Sequence, residues 1–255
     1  VVSRGVRSGL EQAVRWMMPG LFVLLLILVG YAMSSDGFAR GIEFLFRPSA
    51  ITAAGVLVAM GHAFFTLSLG MGAIMMYGSY LREDTSFART VVAVAGLDTL
   101  VALLAGIAIF PLVFAYDLAP GAGPGLIFST LPIAFGAMPG GAFFGTLFFV
   151  LLVFAAWTST ISLVEPAVAW LVENHGFTRV RAALTVGVAT WLLGAVTVLS
   201  FNRWEQYKLL GKTAFEVIDF LTANIMLPLG GLAIAVFTGW FMSRQVVRNE
   251  MAMKN

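Results

Sequence analysis

The sequence predicts an all-α integral membrane domain with six transmembrane helices, one of which is discontinuous. Sixty per cent of its 255 residues are hydrophobic and 11% are charged, and the mean hydropathy is +0.93. This composition is typical of membrane-embedded chains, and no soluble domain is visible in it. Short polar connections separate six apolar segments. These predicted spans cover residues 16–33, 53–80, 87–116, 141–172, 179–200 and 215–242.

The composition also limits the sites and partners to be expected. Cysteine is absent, which excludes disulfides and thiolate metal ligands. The formal net charge of +2 is too small to indicate a nucleic-acid partner. The predicted surroundings of the chain are therefore a lipid bilayer.

The first span begins beside two helix-weakening residues. Gly9 and Pro19 stand ten residues apart. A proline removes one backbone hydrogen bond, and a glycine costs about 1 kcal/mol in a helix. Unwinding at this end of the span is one interpretation, and a proline kink or a simple helix start is the other.

The second span has a weakened centre. It is longer than the roughly 20 residues that a bilayer requires, but it contains Gly61, Gly70 and Gly72, and the hydroxyls of Thr66 and Ser68 lie near its midpoint. An unwound backbone at membrane depth is tolerated only where protein buries it or it lines a cavity. The pattern suggests a binding site, but small residues at a helix packing contact would produce it equally well.

The third and fourth spans carry polar side chains at membrane depth, where a charge costs roughly 3 kcal/mol. Asp98 has no basic residue near it in the sequence, so it should be protonated, face a cation or bond a neighbouring helix. Thr158, Ser162 and Glu165 follow i, i+4 and i+7 and share one helix face. Glu165 precedes Pro166 and must be paired, but the pattern assigns it no role.

The remaining connections contain recognisable stop signals. The segment 117–140 is rich in glycine and proline but apolar, which favours a buried loop over a solvated one. Gly176 is a typical helix terminator before the fifth span. Pro228-Leu229-Gly230-Gly231 is expected to interrupt the last span.

The distribution of basic residues predicts the orientation. If the first span starts in the cytoplasm and six spans alternate, ten Lys and Arg residues lie on the cytoplasmic side and five on the other. This excess obeys the positive-inside rule. Both ends of this chain are therefore expected in the cytoplasm.

Several segments resemble one transporter family. Residues 64–73, Phe-Phe-Thr-Leu-Ser-Leu-Gly-Met-Gly-Ala, and the Tyr-x-Ser-Tyr-Leu-Arg-Glu-Asp that follows from Tyr77 resemble the sixth helix of the neurotransmitter:sodium symporter family. Residues 125–132 resemble its re-entrant external loop, and residues 155–166 its eighth helix. The resemblance implies a LeuT-type inverted-repeat fold, with the six spans matching family helices five to ten.

The resemblance also implies two sodium sites. Asp98 and the Thr66 hydroxyl would supply ligands to the first ion. The backbone carbonyl of Ala155 and the hydroxyls of Thr158 and Ser159 would bind the second. Such hard oxygen atoms suit a hard cation, although hydroxyls inside helices also commonly bond the carbonyls of the preceding turn.

Substrate, chloride and gate assignments follow from the same resemblance. The implied substrate pocket is lined by Phe65, Thr66, Ser68, Met71, Ser159 and Leu163. The adaptable side chain of Met71 favours a hydrophobic or aromatic L-amino acid. Relatives that require chloride have other residues where this chain has His62 and Ala102, so chloride is not expected to be required. Asp219 matches the acidic half of an external gate, and Gly9 and Pro19 match a Gly-x9-Pro pair near the cytoplasm.

The implied function is sodium-coupled import of an amino acid across the inner (plasma) membrane by alternating access, and not an enzymatic activity. The resemblance begins at family helix five, so the first four helices of the same protein are expected as missing partners. Two alternatives remain open at this point. They are a sodium-independent carrier of the same fold and a non-transporting membrane fragment.

Overall fold

A computed structural model describes residues 10–48, 50–78, 86–121, 123–245 and 247. Helices account for the regular structure of these residues, and no strand is present among them. The α-helices are α1 (Leu10–Met33), α2 (Phe38–Phe46), α3 (Ala53–Thr66), α4 (Ala73–Gly78), α5 (Phe87–Ala115), α6 (Gly123–Gly125), α7 (Leu131–Ala137), α8 (Gly141–His175), α9 (Arg179–Leu199), α10 (Ala214–Asp219) and α11 (Leu227–Val236). Three π-helical segments cover Leu126–Thr130, Phe220–Met226 and Phe237–Phe241. The predicted all-α fold is confirmed.

Four helices of the described residues are long and apolar enough to cross a membrane. They are Phe87–Ala115, Gly141–His175, Arg179–Leu199 and the combined helix Ala214–Phe241. A fifth span is possible if Met18–Met33 and Phe38–Phe46, which meet at a bend of 113°, are taken together. The remaining predicted span, 53–80, is the discontinuous one: α3 ends at Thr66, and α4 begins at Ala73.

The chain forms two compact units. The first contains the described residues up to 50 together with 96–159, and the second contains 51–78, 86–95 and the described residues from 160 onward. The core of the first unit is a cluster of buried apolar side chains from α1, α5, α7 and the turn after α7. Its members are Leu24, Leu28, Ala108, Leu131, Phe135 and Met138.

Within the first unit, α2 packs closely on the end of α5. A Cβ atom added to Gly41 would lie 2.5 Å from the backbone nitrogen of Pro111, and one added to Gly37 would lie 2.2 Å from its carbonyl oxygen. Arg40 then donates a hydrogen bond of 3.0 Å to Asp117 just beyond α5. The segment 34–52, expected to be only a polar connection, therefore contains a helix whose glycine face fits the backbone of α5.

Within the second unit, threonine side chains begin several helices. Thr52 accepts a hydrogen bond from the Gly55 amide at the start of α3, and Thr178 does the same for Arg181 in α9. Thr213 and Glu216 form a reciprocal capping box at α10. These N-caps bond amides that lack an intrahelical partner, so the helix starts are fixed locally.

The last span differs from its prediction. Pro228 to Gly231 do not interrupt it, because they lie inside α11. Pro228 occupies one of the first positions of α11, where a missing N–H is tolerated. The irregularity lies one turn earlier, in the π-helical segment Phe220–Met226.

Candidate functional site

The end of α3 adopts a defined termination motif. The Leu69 amide donates to the Phe64 carbonyl at 2.8 Å, and the Ser68 amide donates to the Phe65 carbonyl at 3.1 Å. This pair of bonds is the Schellman arrangement, which requires a left-handed residue just after the helix. Ser68 has that conformation, with φ of 55°. A serine therefore stands where glycine is the usual residue.

The chain restarts as a helix after two further left-handed residues. Gly70 has φ of 79° and Gly72 φ of 82°, a conformation that glycine adopts without the strain of a side chain. The Gly72 carbonyl then accepts the Met76 amide at 3.1 Å. Residues 67–72 are thus an unwound break in an apolar segment, as the glycine spacing predicted.

The predicted substrate residues of this segment surround the break. Phe65 and Thr66 lie in the last turn of α3 and are exposed, whereas Ser68 and Met71 lie in the break and are half-buried. The Thr66 hydroxyl donates to the Ala63 carbonyl at 3.4 Å. Leu163 lies on α8 in the same unit and is 46% exposed.

The break lies directly against the last span. A Cβ atom added to Gly70 would be 2.4 Å from the Leu227 carbonyl oxygen, and one added to Gly230 would be 2.4 Å from the Gly70 carbonyl oxygen. Gly61 meets the π-helical segment in the same way, with Ala223 O and Asn224 Oδ1 each 2.7 Å from its added Cβ. The sequence showed these glycines, but it did not show that they face one another.

Two of the predicted ligands for the second sodium ion lie together on α8. The Thr158 hydroxyl donates to the Ala155 carbonyl oxygen at 2.8 Å, and Thr158 is only 8% exposed. This is the local bond that hydroxyls in helices commonly form. It also holds two hard oxygen atoms side by side. Ser159, the next residue, is exposed.

Asp98 lies on α5 in the first unit and is half-buried. Among the residues that the structure describes, it has no ion-pair partner. Thr66 belongs to the other unit, so the predicted ligands of the first sodium ion come from different parts of the fold. His62, at one of the two positions considered for chloride, is exposed on α3.

The partner of Glu165 is Arg179. Glu165 is 5% exposed on α8, and its Oε1 accepts a hydrogen bond from Nη2 of Arg179 at the start of α9. The second carboxylate oxygen, Oε2, is buried without a hydrogen-bond partner in the described part of the chain. The sequence required a partner for Glu165, and the turn at Gly176, where φ is 64°, brings the next basic residue back to it.

The remaining predicted residues concern the gates. Asp219 is exposed at the end of α10, immediately before the π-helical segment. Pro19 lies inside α1, which continues without a break from Leu10 to Met33. Gly9 lies outside the described residues. Unwinding at Gly9 and Pro19 stays a prediction.

Comparisons with known proteins agree on the family. The family model described as the sodium:neurotransmitter symporter family matches residues 1–252. An uncharacterized sodium-dependent transporter of Bacillus subtilis (strain 168), YhdH, is 37% identical over 98% of this chain. A similarly described transporter of Haemophilus influenzae is 33% identical over 99% of the chain. The chain spans 56% of the length of each of these relatives.

A solved structure shares the fold of this chain. The crystal structure of MhsT in complex with L-phenylalanine is 40% identical and superposes with a TM-score of 0.91. The match covers 100% of this chain and 59% of that one. The matched family consists of sodium-coupled transporters and not of enzymes. From the family model, the relatives and the shared fold, we conclude that this chain belongs to the sodium:neurotransmitter symporter family.

Proposed function

We propose that the full-length protein is a sodium-coupled symporter that imports a hydrophobic or aromatic L-amino acid by alternating access. The observation that carries this proposal is the break at residues 67–72 in an otherwise apolar helical segment. Broken helices at membrane depth are typical of substrate and ion sites in secondary transporters. The bound L-phenylalanine of MhsT, which is 40% identical to this chain, supports this class of substrate.

The chemistry of the break suits such a substrate. The helix ends at Thr66 and Ala73 leave backbone groups without intrahelical partners, and these can bond a polar amino-acid head group. Phe65, Met71 and Leu163 supply the apolar surface that a hydrophobic side chain requires. Thr66, Ser68 and Ser159 complete the proposed pocket.

Sodium is proposed as the co-transported ion. Ala155, Thr158 and Ser159 form the proposed ligand set of one site, and Thr66 and Asp98 contribute to the other. The bond between Thr158 and the Ala155 carbonyl supports the site of the second ion, since two of its oxygen ligands are already adjacent. A bound ion would replace the hydroxyl proton as the partner of the Ala155 carbonyl.

Chloride is proposed not to be required. The fixed carboxylate of Asp98 supplies the negative charge that an anion would otherwise contribute near the first sodium site. His62 and Ala102 stand at the two positions where chloride-dependent relatives are expected to have an amide and a hydroxyl.

The proposed transport cycle has a gate on each side of the membrane. Asp219 would act at the external gate, and Gly9 and Pro19 would let the cytoplasmic end of the first span unwind. The protein would lie in the inner (plasma) membrane, and both ends of this chain would face the cytoplasm. The N-terminal helices of the same protein would complete both sodium sites.

Uptake into proteoliposomes tests the proposal. Vesicles that contain the full-length protein should accumulate radiolabelled L-phenylalanine or L-leucine. We expect this accumulation only when an inward sodium gradient is present. Asp98→Ala and Thr158→Ala should each abolish this uptake. Thr146→Ala is the matched control, because the Thr146 hydroxyl bonds the Ala142 carbonyl of the same helix at 2.7 Å but is not a proposed ligand.

The outcomes separate the alternatives. Uptake that ignores sodium and survives both substitutions would indicate a sodium-independent carrier. A folded full-length protein that neither binds nor transports these amino acids would indicate a non-transporting role.

A further inference from the structure

Hydrogen bonds to the end of α3 hold residues 67–69 of the six-residue break at 67–72, but these bonds do not extend to residues 70–72. Three of the six, Ser68, Gly70 and Gly72, have positive φ angles. Glycine loses more conformational freedom on ordering than any other residue. The shape of residues 70–72 therefore depends on contacts from another element of the same unit.

The last span supplies such a contact through bare backbone. The Gly70 position faces the Leu227 carbonyl and the Gly231 amide, at 2.4 and 2.9 Å from an added Cβ. The Gly230 position faces the Gly70 carbonyl in return, at 2.4 Å. Real Cβ atoms essentially never approach other atoms within 3.0 Å, so only glycine fits at these two positions without moving the backbone.

Two further contacts extend this surface along α3. A Cβ atom on Gly231 would lie 2.0 Å from Cε1 of the Phe64 ring. Gly61 adjoins Ala223 and Asn224 of the π-helical segment. We call the contact formed by Gly61, Gly70, Gly230 and Gly231 the glycine seam. It joins the helix before the break, and the break itself, to a single partner.

We propose that the glycine seam sets the position of the break and that Gly230 and Gly231 are thereby positioning residues for substrate binding. This inference rests on the proposed function, because the break carries the proposed substrate residues Ser68 and Met71. Neither Gly230 nor Gly231 needs to touch the substrate. Gly230 acts through the backbone of the break at Gly70. Gly231 acts through the Phe64 ring, which is next in the sequence to the proposed substrate residue Phe65.

The experiment uses single alanine substitutions in the full-length protein. Gly230→Ala places a methyl group against backbone atoms of Gly70, which cannot move aside. Gly231→Ala places one against the tip of the Phe64 ring. Gly239→Ala is the matched control, since an added Cβ there meets nothing within 4 Å in the same span. We expect the Kd of radiolabelled L-phenylalanine in sodium buffer to rise about tenfold or more in the two seam variants, as overpacked contacts usually cost.

A second substitution provides a rescue. Phe64→Leu removes the two ring atoms nearest to the added methyl group, Cε1 and Cζ. Gly231→Ala combined with Phe64→Leu should therefore return the Kd close to that of Phe64→Leu alone. Such coupling would not arise from two independent losses of stability. If Gly230→Ala fails to fold, this pair still decides the result.

Hydrogen exchange separates failure of the inference from failure of the proposed function. We expect the amides of residues 67–73 to exchange about tenfold faster in Gly230→Ala and Gly231→Ala than in the wild type, without substrate present. Unchanged exchange in folded variants, or unchanged Kd with no rescue, would overturn the seam. A wild-type protein that binds no amino acid would contradict the proposed function, while the exchange rates would still test the seam.

Discussion

Ser68 combines a strained backbone with a predicted role in binding. Its φ of 55° completes the C-terminal motif of α3, a position at which glycine is usual. Strained residues are often found at functional sites, where other interactions hold them. The conformation and the hydroxyl of Ser68 can be separated by substitution.

Ser68→Gly should stabilise the protein, whereas Ser68→Ala should not. A non-glycine residue in the left-handed conformation costs about 1–2 kcal/mol of stability. Glycine avoids this cost but loses about 0.5–1 kcal/mol through its greater chain entropy in the unfolded state. The expected net gain for glycine is about 0.5–1 kcal/mol in the free energy of unfolding. Both variants lack the hydroxyl, so L-phenylalanine binding should weaken equally in both if the hydroxyl contacts the substrate. Denaturant titration in detergent and equilibrium binding measure the two effects.

Breaking the ion pair between buried Glu165 and partly exposed Arg179 should cause a large loss of stability. Arg179→Met leaves a carboxylate that is 5% exposed without its cation, which typically costs about 3–5 kcal/mol. Arg181→Met, on an exposed residue two positions later, should change the free energy of unfolding by less than about 0.5 kcal/mol. Adding Glu165→Gln to Arg179→Met should recover most of the loss. Equal effects of the two arginine substitutions would contradict this account.

Among the elements, α2 contacts the end of α5 through both an exposed ion pair and close backbone packing. Arg40 and Asp117 are 3.0 Å apart, but their side chains are 58% and 85% exposed. Such pairs contribute about 0.2–1 kcal/mol. The contact of Gly37 and Gly41 with Pro111, by contrast, leaves no room for a methyl group.

Gly41→Ala should therefore destabilise the first unit more than Asp117→Asn, which removes the charge but suits the left-handed backbone of this residue, with φ of 51°. The added methyl group meets backbone atoms of Pro111 at 2.5 and 2.7 Å, and overpacking of this kind costs about 1–3 kcal/mol. Gly30→Ala on α1 meets nothing within 4 Å, so it should leave the thermal midpoint unchanged or slightly higher. A thermal shift for Asp117→Asn as large as that for Gly41→Ala would show that the ion pair, and not the packing, holds α2.

For the whole molecule, the proposed ion coupling predicts how salts affect stability. A ligand that binds only the folded state stabilises it by about 2.7 kcal/mol at a hundred times its Kd. Replacing potassium by sodium should therefore raise the thermal midpoint of the full-length protein. The rise should be smaller in Asp98→Asn, which loses a charged ligand. Exchanging chloride for gluconate at constant sodium should change neither the midpoint nor uptake, and a loss of uptake would overturn the proposed chloride independence.

The sequence by itself determined the features that depend on local physics. Apolar runs indicated where the long helices lie, because a segment that crosses a membrane must form its backbone hydrogen bonds within itself. Three glycines and two hydroxyls marked the break in the second span, and Gly176 marked the end of α8, since left-handed turns favour glycine. The resemblance of several of these segments to the family's helices indicated the family from the sequence alone.

Only the tertiary structure decided which faces meet. Glu165 and Arg179 pair across a turn, α2 packs its glycines on Pro111, and the glycine seam joins residues more than 150 positions apart. Periodicity shows that a helix has a small or polar face, but it does not identify the partner of that face. The missing N–H of Pro228 likewise predicted an interruption, whereas the last span continues through Pro228, directly after the π-helical segment Phe220–Met226.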